Sequence, residues 1–260
     1  METNTTTDTV APESKSLIGR LFSAGAHFGF SKSRRHPTAM PYLFGSKQGT
    51  DIFDLEKTSE LLTAATDYLR TLGKGGKRVV FVGTKEEAKV LVTEHALKVE
   101  MPFVTNRWIG GTLTNFSEIQ KRINRLASLR EQQESGELDR KYTKKERLML
   151  TREADKLDFN FGGISAMERM PDALLVVDPR HDVIAVKEAN DMHIPVIAIM
   201  SSDCNADMIT KPVFANDAHR SSVACVLGEL TEAFAAGKAE YVPAPTPERS
   251  TAPRVRTPRA

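Results

Sequence analysis

Cysteine is scarce in this chain of 260 residues: only Cys204 and Cys225 occur. So little cysteine excludes a disulfide-dense scaffold and fits a reducing cytoplasm with free thiols, and nothing requires a bridge between the two. Neither belongs to a C-x-x-C pair, and the six histidines fall in no H-x-x-x-H or H-E-x-x-H spacing, so no zinc site is expected. No apolar run approaches the ~20 residues of a membrane span. Residues 1–16 lack both an apolar centre and arginine, against a secretory signal or a mitochondrial presequence. With 40% apolar and 27% charged residues, the chain is expected to be a soluble globular protein with a real core.

A second absence is local. Between Ser14 and Thr50 there is no acidic residue, where an even spread of the chain's acids would place about four or five. The same window holds Lys15, Arg20, Lys32, Arg34, Arg35 and Lys47. A formal net charge of +2 conceals this cluster. Such self-repulsion is relieved by a polyanion, and phosphate is the natural one; the plainer alternative is a solvated basic face. Tyr42 and Phe44 lie among the cations in a stretch broken by Gly and Pro. That mixture suits irregular RNA better than a duplex groove.

Three continuous apolar runs read as strands covered on both faces: Val79–Val82, Leu174–Val177 and Val196–Ile199. Each precedes polar residues, and the first two lead into helical patterns. Phe103-Val104 is a weaker fourth strand, and Tyr42–Phe44 with Ile52-Phe53 is expected as an edge hairpin. Thr84 with Glu87 is expected to form a capping box for the helix running to Lys98. The final helix is expected to start at an Asn216 cap and to end before Gly237. The architecture is therefore an α/β fold, a doubly wound parallel sheet.

Residues 117–157 do not fit that layer. Ile119, Ile123, Leu126 and Leu129 form one thin apolar seam, Ser135-Gly136 breaks it, and Thr143 with Glu146 caps a second helix bearing Leu148, Ala154 and Leu157. From Ser117 to Asp158 eleven Lys/Arg stand against nine Asp/Glu. Seams so narrow predict an inserted antiparallel coiled-coil hairpin; the alternative is a helical pair lying flat on the sheet. The domain plan is a disordered tail over 1–16, one discontinuous α/β domain over 17–116 and 158–240, the insertion over 117–157, and a disordered basic Pro-rich tail over 241–260.

Signals for catalysis are weak. Gly83-Thr84 before a helix could attract phosphate, yet no G-x-G-x-x-G follows Val82, and Lys74-Gly75-Gly76-Lys77 lies before the strand. Asp178, Asp203 and Asp207 sit near strand ends where a cation or a base could act, but they suit ordinary turns equally. The most informative stretch is Arg107–Phe116, RWIGGTLTNF, which joins a guanidinium and the only tryptophan to a Gly-Gly bend. A bend without Cβ atoms admits a close partner, and Arg and Trp can stack on a base or on each other. Trp108 equally suits a packed position.

Motifs in order then carry a resemblance: AGAHFG at 24–29, YLFG at 42–45, FVGTK at 81–85, RWIGGTLTNF at 107–116, PDAL at 171–174, VDP at 177–179 and IPVIA at 194–198. The series, spanning roughly residues 17–237, closely resembles the bacterial form of the small-subunit ribosomal protein two family. The resemblance implies a flavodoxin-like or Rossmann-like domain with a coiled-coil insertion. It also implies a place between head and body of the small subunit against 16S ribosomal RNA, with neighbouring ribosomal proteins as partners. It further implies help in docking ribosomal protein one, no enzymatic activity, no cofactor, and a cytoplasmic, ribosome-associated location. Phe30 stands where the family usually has His. Under this reading Arg34, Arg35, Lys47, Lys85, Arg107, Arg122 and Arg125 are candidate phosphate contacts. Tyr42 and Trp108 are stacking or packing candidates, and His36, Thr112 and Asn115 complete the candidate RNA-binding set. The rivals are a nucleotide-binding enzyme using Gly83-Thr84 and Asp178, and a protein adaptor gripping a partner through the charged helices.

Overall fold

β-Branched runs with no polar face must be covered on both sides, and β4 (Val79–Val82), β6 (Ala173–Val177) and β7 (Val196–Met200) are buried at every residue. The computed structural model describes residues 16–241; the two tails expected as disordered lie outside them, apart from Ser16 and Tyr241. The three strands form the centre of a parallel sheet in the order β4-β6-β7. Val79 stands opposite Ala173, Leu174 opposite Val196, and Ile197 opposite Lys211. β5 (Phe103–Val104) closes one edge and β8 (Lys211–Phe214) the other. Pro212 in β8 has no N–H to donate, which suits an edge strand.

Side chains of a strand alternate between faces, so these strands feed two cores. Val79, Phe81, Leu175, Val177, Ile197 and Ile199 meet the helices α2 (Leu55–Lys74), α3 (Glu86–Lys98) and α8 (Arg220–Ala239). Val80, Val82, Leu174, Val176 and Ala198 meet Trp108, Leu113 and α7 (Val183–Asp191) on the opposite face. The α/β layer expected from the sequence is present. α2, the longest of the elements the sequence reading passed over, starts at Asp54, whose carboxylate accepts the Glu56 N–H at 3.0 Å. It buries Thr58, Leu62, Ala65, Leu69 and Gly73 at helical spacing.

Several local expectations need correction. α8 begins at Arg220 with His219 at its N-cap, not at Asn216. Asn216 instead fastens a turn, accepting the Ala218 N–H at 3.0 Å and donating to the Gly25 carbonyl at 3.2 Å. Gly237 lies inside α8, because a Cβ there would stand 2.2 Å from the Arg70 carbonyl oxygen of α2. Thr84 caps nothing, since α3 starts at Glu86 and the Thr84 hydroxyl is used elsewhere.

The hairpin of Tyr42–Phe44 with Ile52-Phe53 is not an edge of the parallel sheet. β2 (Leu43–Lys47) pairs with β3 (Thr50–Phe53), and β3 pairs with β1 (Phe28–Ser31), in a separate antiparallel sheet. Ahead of it stands the short helix α1 (Leu17–Ser23). The small sheet lies over the carboxyl ends of the parallel strands: the Phe30 N–H donates to Ser202 Oγ at 3.0 Å, and the His36 N–H donates to the Ser202 carbonyl at 2.8 Å.

In the predicted insertion, α4 (Phe116–Glu134), the single turn α5 (Glu137–Lys141) and α6 (Lys144–Phe161) follow in sequence. The break falls at Gly136, whose φ of +69° favours glycine. The Thr143–Glu146 capping box forms as expected. Ile119, Ile123, Leu126 and Leu129 are all buried on α4, and α4 packs on α6. Leu148, expected on the seam, is exposed.

Candidate nucleic-acid interface

The acid-free segment is compensated from outside itself. Arg35 forms a paired hydrogen-bonded bridge to Asp51, one residue beyond the window, with Nε 2.8 Å from Oδ2 and a second bond from the guanidinium to Oδ1. Asp51 is fully buried, and its hydrogen bond holds the Arg35 guanidinium more firmly protonated than usual. Arg20 pairs with Glu229 of α8. What remains exposed and outside any ion pair among the described residues is Lys32, Arg34 and Lys47. The Arg34 guanidinium stands 5.9 Å from the centre of the Phe30 ring. Tyr42 is turned inward, its ring stacked on Phe214 at 4.5 Å. His36 caps a 3₁₀ turn, its Nδ1 2.8 Å from the Thr38 hydroxyl.

The Arg107–Phe116 loop is built around a residue the sequence reading missed. Glu188, buried on α7, accepts the N–H groups of Gly111 at 2.7 Å and Leu113 at 2.9 Å, while the indole Nε1 of Trp108 points at it from 3.4 Å. A buried carboxylate gathering backbone donors sets the loop's shape. Gly111 takes a φ of +89° to make the bend. Trp108 is a packed core residue, and Thr112 is buried with its hydroxyl donating to the Ile109 carbonyl at 2.5 Å. Arg107 and Asn115 remain exposed, and Asn115 occupies the N-cap of α4 without a side-chain capping bond. Glu188 has a signal in sequence only in hindsight: an acid three residues after Ala185 on an otherwise apolar helix face.

Lys85 is not free for phosphate. Its ammonium lies 3.1 Å from Asp178 and 3.4 Å from Asp217 and is mostly buried. Burial opposes its charge, but Asp217 and Asp178 outweigh it and keep the lysine protonated. Asp217, fully buried, is pushed up to about 7 by burial and by Asp178. Ligand atoms of Asp178, Cys204 and Asp217 lie within 4.8 Å of one another, a set that could hold a cation. The Lys85 ammonium already supplies positive charge to both carboxylates, and burial keeps the Cys204 thiol protonated. Asp203 pairs instead with Arg180 at 2.6 Å, and Asp207 is exposed. Of the three expected acids, only Asp178 joins the cluster.

Nor does Gly83-Thr84 form a phosphate cradle. The Thr84 N–H donates to Asp182 at 3.1 Å and its hydroxyl to the same carboxylate at 2.8 Å, so a protein anion sits where a phosphate would. A Cβ on Gly83 would meet Val92 at 2.8 Å, so the glycine serves strand–helix packing. On the long helices Arg125 is held by Glu153 at 3.0 and 3.1 Å, whereas Arg122 is exposed and outside any ion pair among the described residues. The candidate set therefore splits. Arg34, Lys47, Arg107, Asn115 and Arg122 face outward, while Arg35, Lys85 and Arg125 are engaged by carboxylates and His36, Tyr42, Trp108 and Thr112 serve the fold.

A family model described as Ribosomal protein S2 matches residues 21–237. The small ribosomal subunit protein uS2 of Sulfurimonas denitrificans is 42% identical over 219 residues, covering 84% of each chain. That of Nitratiruptor sp. is 40% identical over 218 residues, 84% of this chain and 81% of the relative. The protein uS2c of Rhodomonas salina is 38% identical over 220 residues, 85% of this chain and 90% of the relative. With one family model and several relatives covering most of the described residues, this chain belongs to the ribosomal protein S2 family.

Proposed function

We propose that this chain is a structural constituent of the small ribosomal subunit, acting in translation by binding 16S ribosomal RNA between head and body and helping to dock ribosomal protein one. The observation that carries the RNA reading is the group of outward cations Lys32, Arg34, Lys47, Arg107 and Arg122, which find no acidic partner among the described residues. Other exposed cations, Lys144, Lys145, Arg152 and Lys156 of α6 among them, also lie outside any ion pair among the described residues, and cations left uncompensated are poised for phosphate. Family membership gives that phosphate its source. Exposed rings of Phe22, Phe28 and Phe44 support the protein side of the reading, because apolar surface of that kind marks a docking partner.

A non-enzymatic role is supported by the carboxyl ends of the parallel strands. Open α/β sheets bind ligands there; here the small antiparallel sheet, Asp182 and the Lys85 cluster occupy that end and leave a cavity of about 230 Å³ beside Asp203 and Cys204, below the roughly 300–1,000 Å³ of ligand pockets. Among the described residues, no helix is long and apolar enough to cross a membrane. The test is sedimentation of the purified protein with small-subunit particles across a salt series. Co-sedimentation at low salt and release at high salt is expected; failure to bind particles at any salt overturns the reading.

A further inference from the structure

We propose that the cleft between the Gly110-Gly111 bend and the facing ends of α4 and α6 is a pocket for a single unpaired RNA nucleotide, taken base-first with its phosphate at the mouth. The cleft has a volume of about 470 Å³, within the range of pockets that enclose small ligands. Leu157 and the buried Phe161 supply an apolar floor, and Asn115 an amide able to read a base edge. Gly110 forms one wall without a side chain: a Cβ there would come no closer than 4.0 Å to any neighbour, so a planar ring can slide against bare backbone.

Charge at the mouth selects the occupant. Two acids line the cleft, but Glu118 is paired with Lys121 at 2.6 Å and Glu153 with Arg125. The lining cations Arg122 and Lys156 have no ion-pair partner among the described residues. The unspent charge is positive, and an apolar floor under two free cations fits a flat base carrying an anion. Single-stranded RNA is recognised in this way, by splaying out a base, stacking it and holding its phosphate. The inference rests on the ribosomal RNA reading above and deepens it.

The test is chemical probing of 16S RNA in small subunits assembled with the full-length protein, wild type or altered. Arg122→Ala with Lys156→Ala, and separately Gly110→Val, are expected to raise reactivity at one unpaired nucleotide roughly tenfold, the loss of one base stack, leaving the remaining footprint in place. Lys145→Ala, an exposed and unpaired cation on α6 outside the cleft, should leave that nucleotide protected. Ultraviolet cross-linking of the wild-type particle should join an RNA base to residues of the cleft, a readout needing no variant. Footprints identical in all variants, or cross-links only elsewhere, overturn the pocket while leaving RNA binding intact. A wild-type protein that protects no 16S nucleotide overturns both.

Discussion

Neighbouring arginines have different physical jobs. Arg34 is exposed over Phe30, whereas Arg35 neutralises the buried Asp51. Arg34→Ala is expected to leave stability unchanged and to lower the salt slope of RNA binding by about 0.7–0.9, one phosphate contact. Arg35→Ala strands a buried carboxylate and should cost about 3–5 kcal/mol in urea unfolding. Equal stability losses in the two variants would refute this division. Glu188→Ala removes the acceptor for the Gly111 and Leu113 amides and should cost about 2–4 kcal/mol, with Trp108 fluorescence shifting as its pocket loosens. Asp217 makes stability depend on pH in an unusual direction. Its folded value of about 7 lies above the ordinary aspartate value, so between about pH 4 and 7 the folded chain keeps a proton that the unfolded chain releases. Its contribution to stability therefore declines as pH rises through that window and is level above it. Asp217→Asn should gain stability relative to wild type between pH 5 and pH 8; a constant difference across that range refutes the assignment.

Elements meet at distances their smallest residues set. α2 and α8 cross where Gly73 and Gly237 stand against opposing backbone, with an added Cβ on Gly73 only 2.6 Å from the Phe234 carbonyl oxygen. Gly237→Ala is expected to cost about 1–3 kcal/mol by forcing these helices apart. Gly45→Ala on β2, with nothing within 4 Å, should be near neutral, and thermal melts of the two variants compare them directly. α2 was readable in principle from the Asp54 cap and the 58, 62, 65, 69 spacing. β8 was less legible, because Lys211 and Pro212 look like a loop until β7 lies beside them. Glycine at 237 reads as a helix end in sequence, and only the crossing of a second helix shows why it lies inside one.

At the scale of the molecule, one face of the parallel sheet carries α2, α3 and α8, and the other carries α7 and the loop held by Glu188. The small antiparallel sheet covers the strand ends and leaves a cavity of about 230 Å³ beside Asp203 and Cys204. The outward cations of the candidate set come from three separate places: the segment around Arg34, the loop at Arg107 and the helix at Arg122. Such a spread predicts that no single substitution abolishes binding, and that Arg34→Ala, Arg107→Ala and Arg122→Ala reduce the salt slope roughly additively. A triple variant whose slope equals that of wild type would remove these residues from the interface.

Chain order alone settled the three central strands and their two-sided burial, since runs such as Leu174–Val177 have no polar face to offer water. It also settled the helical breaks at Gly136 and Thr143, where local backbone chemistry suffices. Which charges are free was decided only by the fold. Asp51 reaches back to Arg35, Asp178 and Asp217 converge on Lys85 from two strand ends, and Glu153 meets Arg125 from another helix. Electrostatic compensation acts through space over a few ångströms, and separation along the chain carries no record of it.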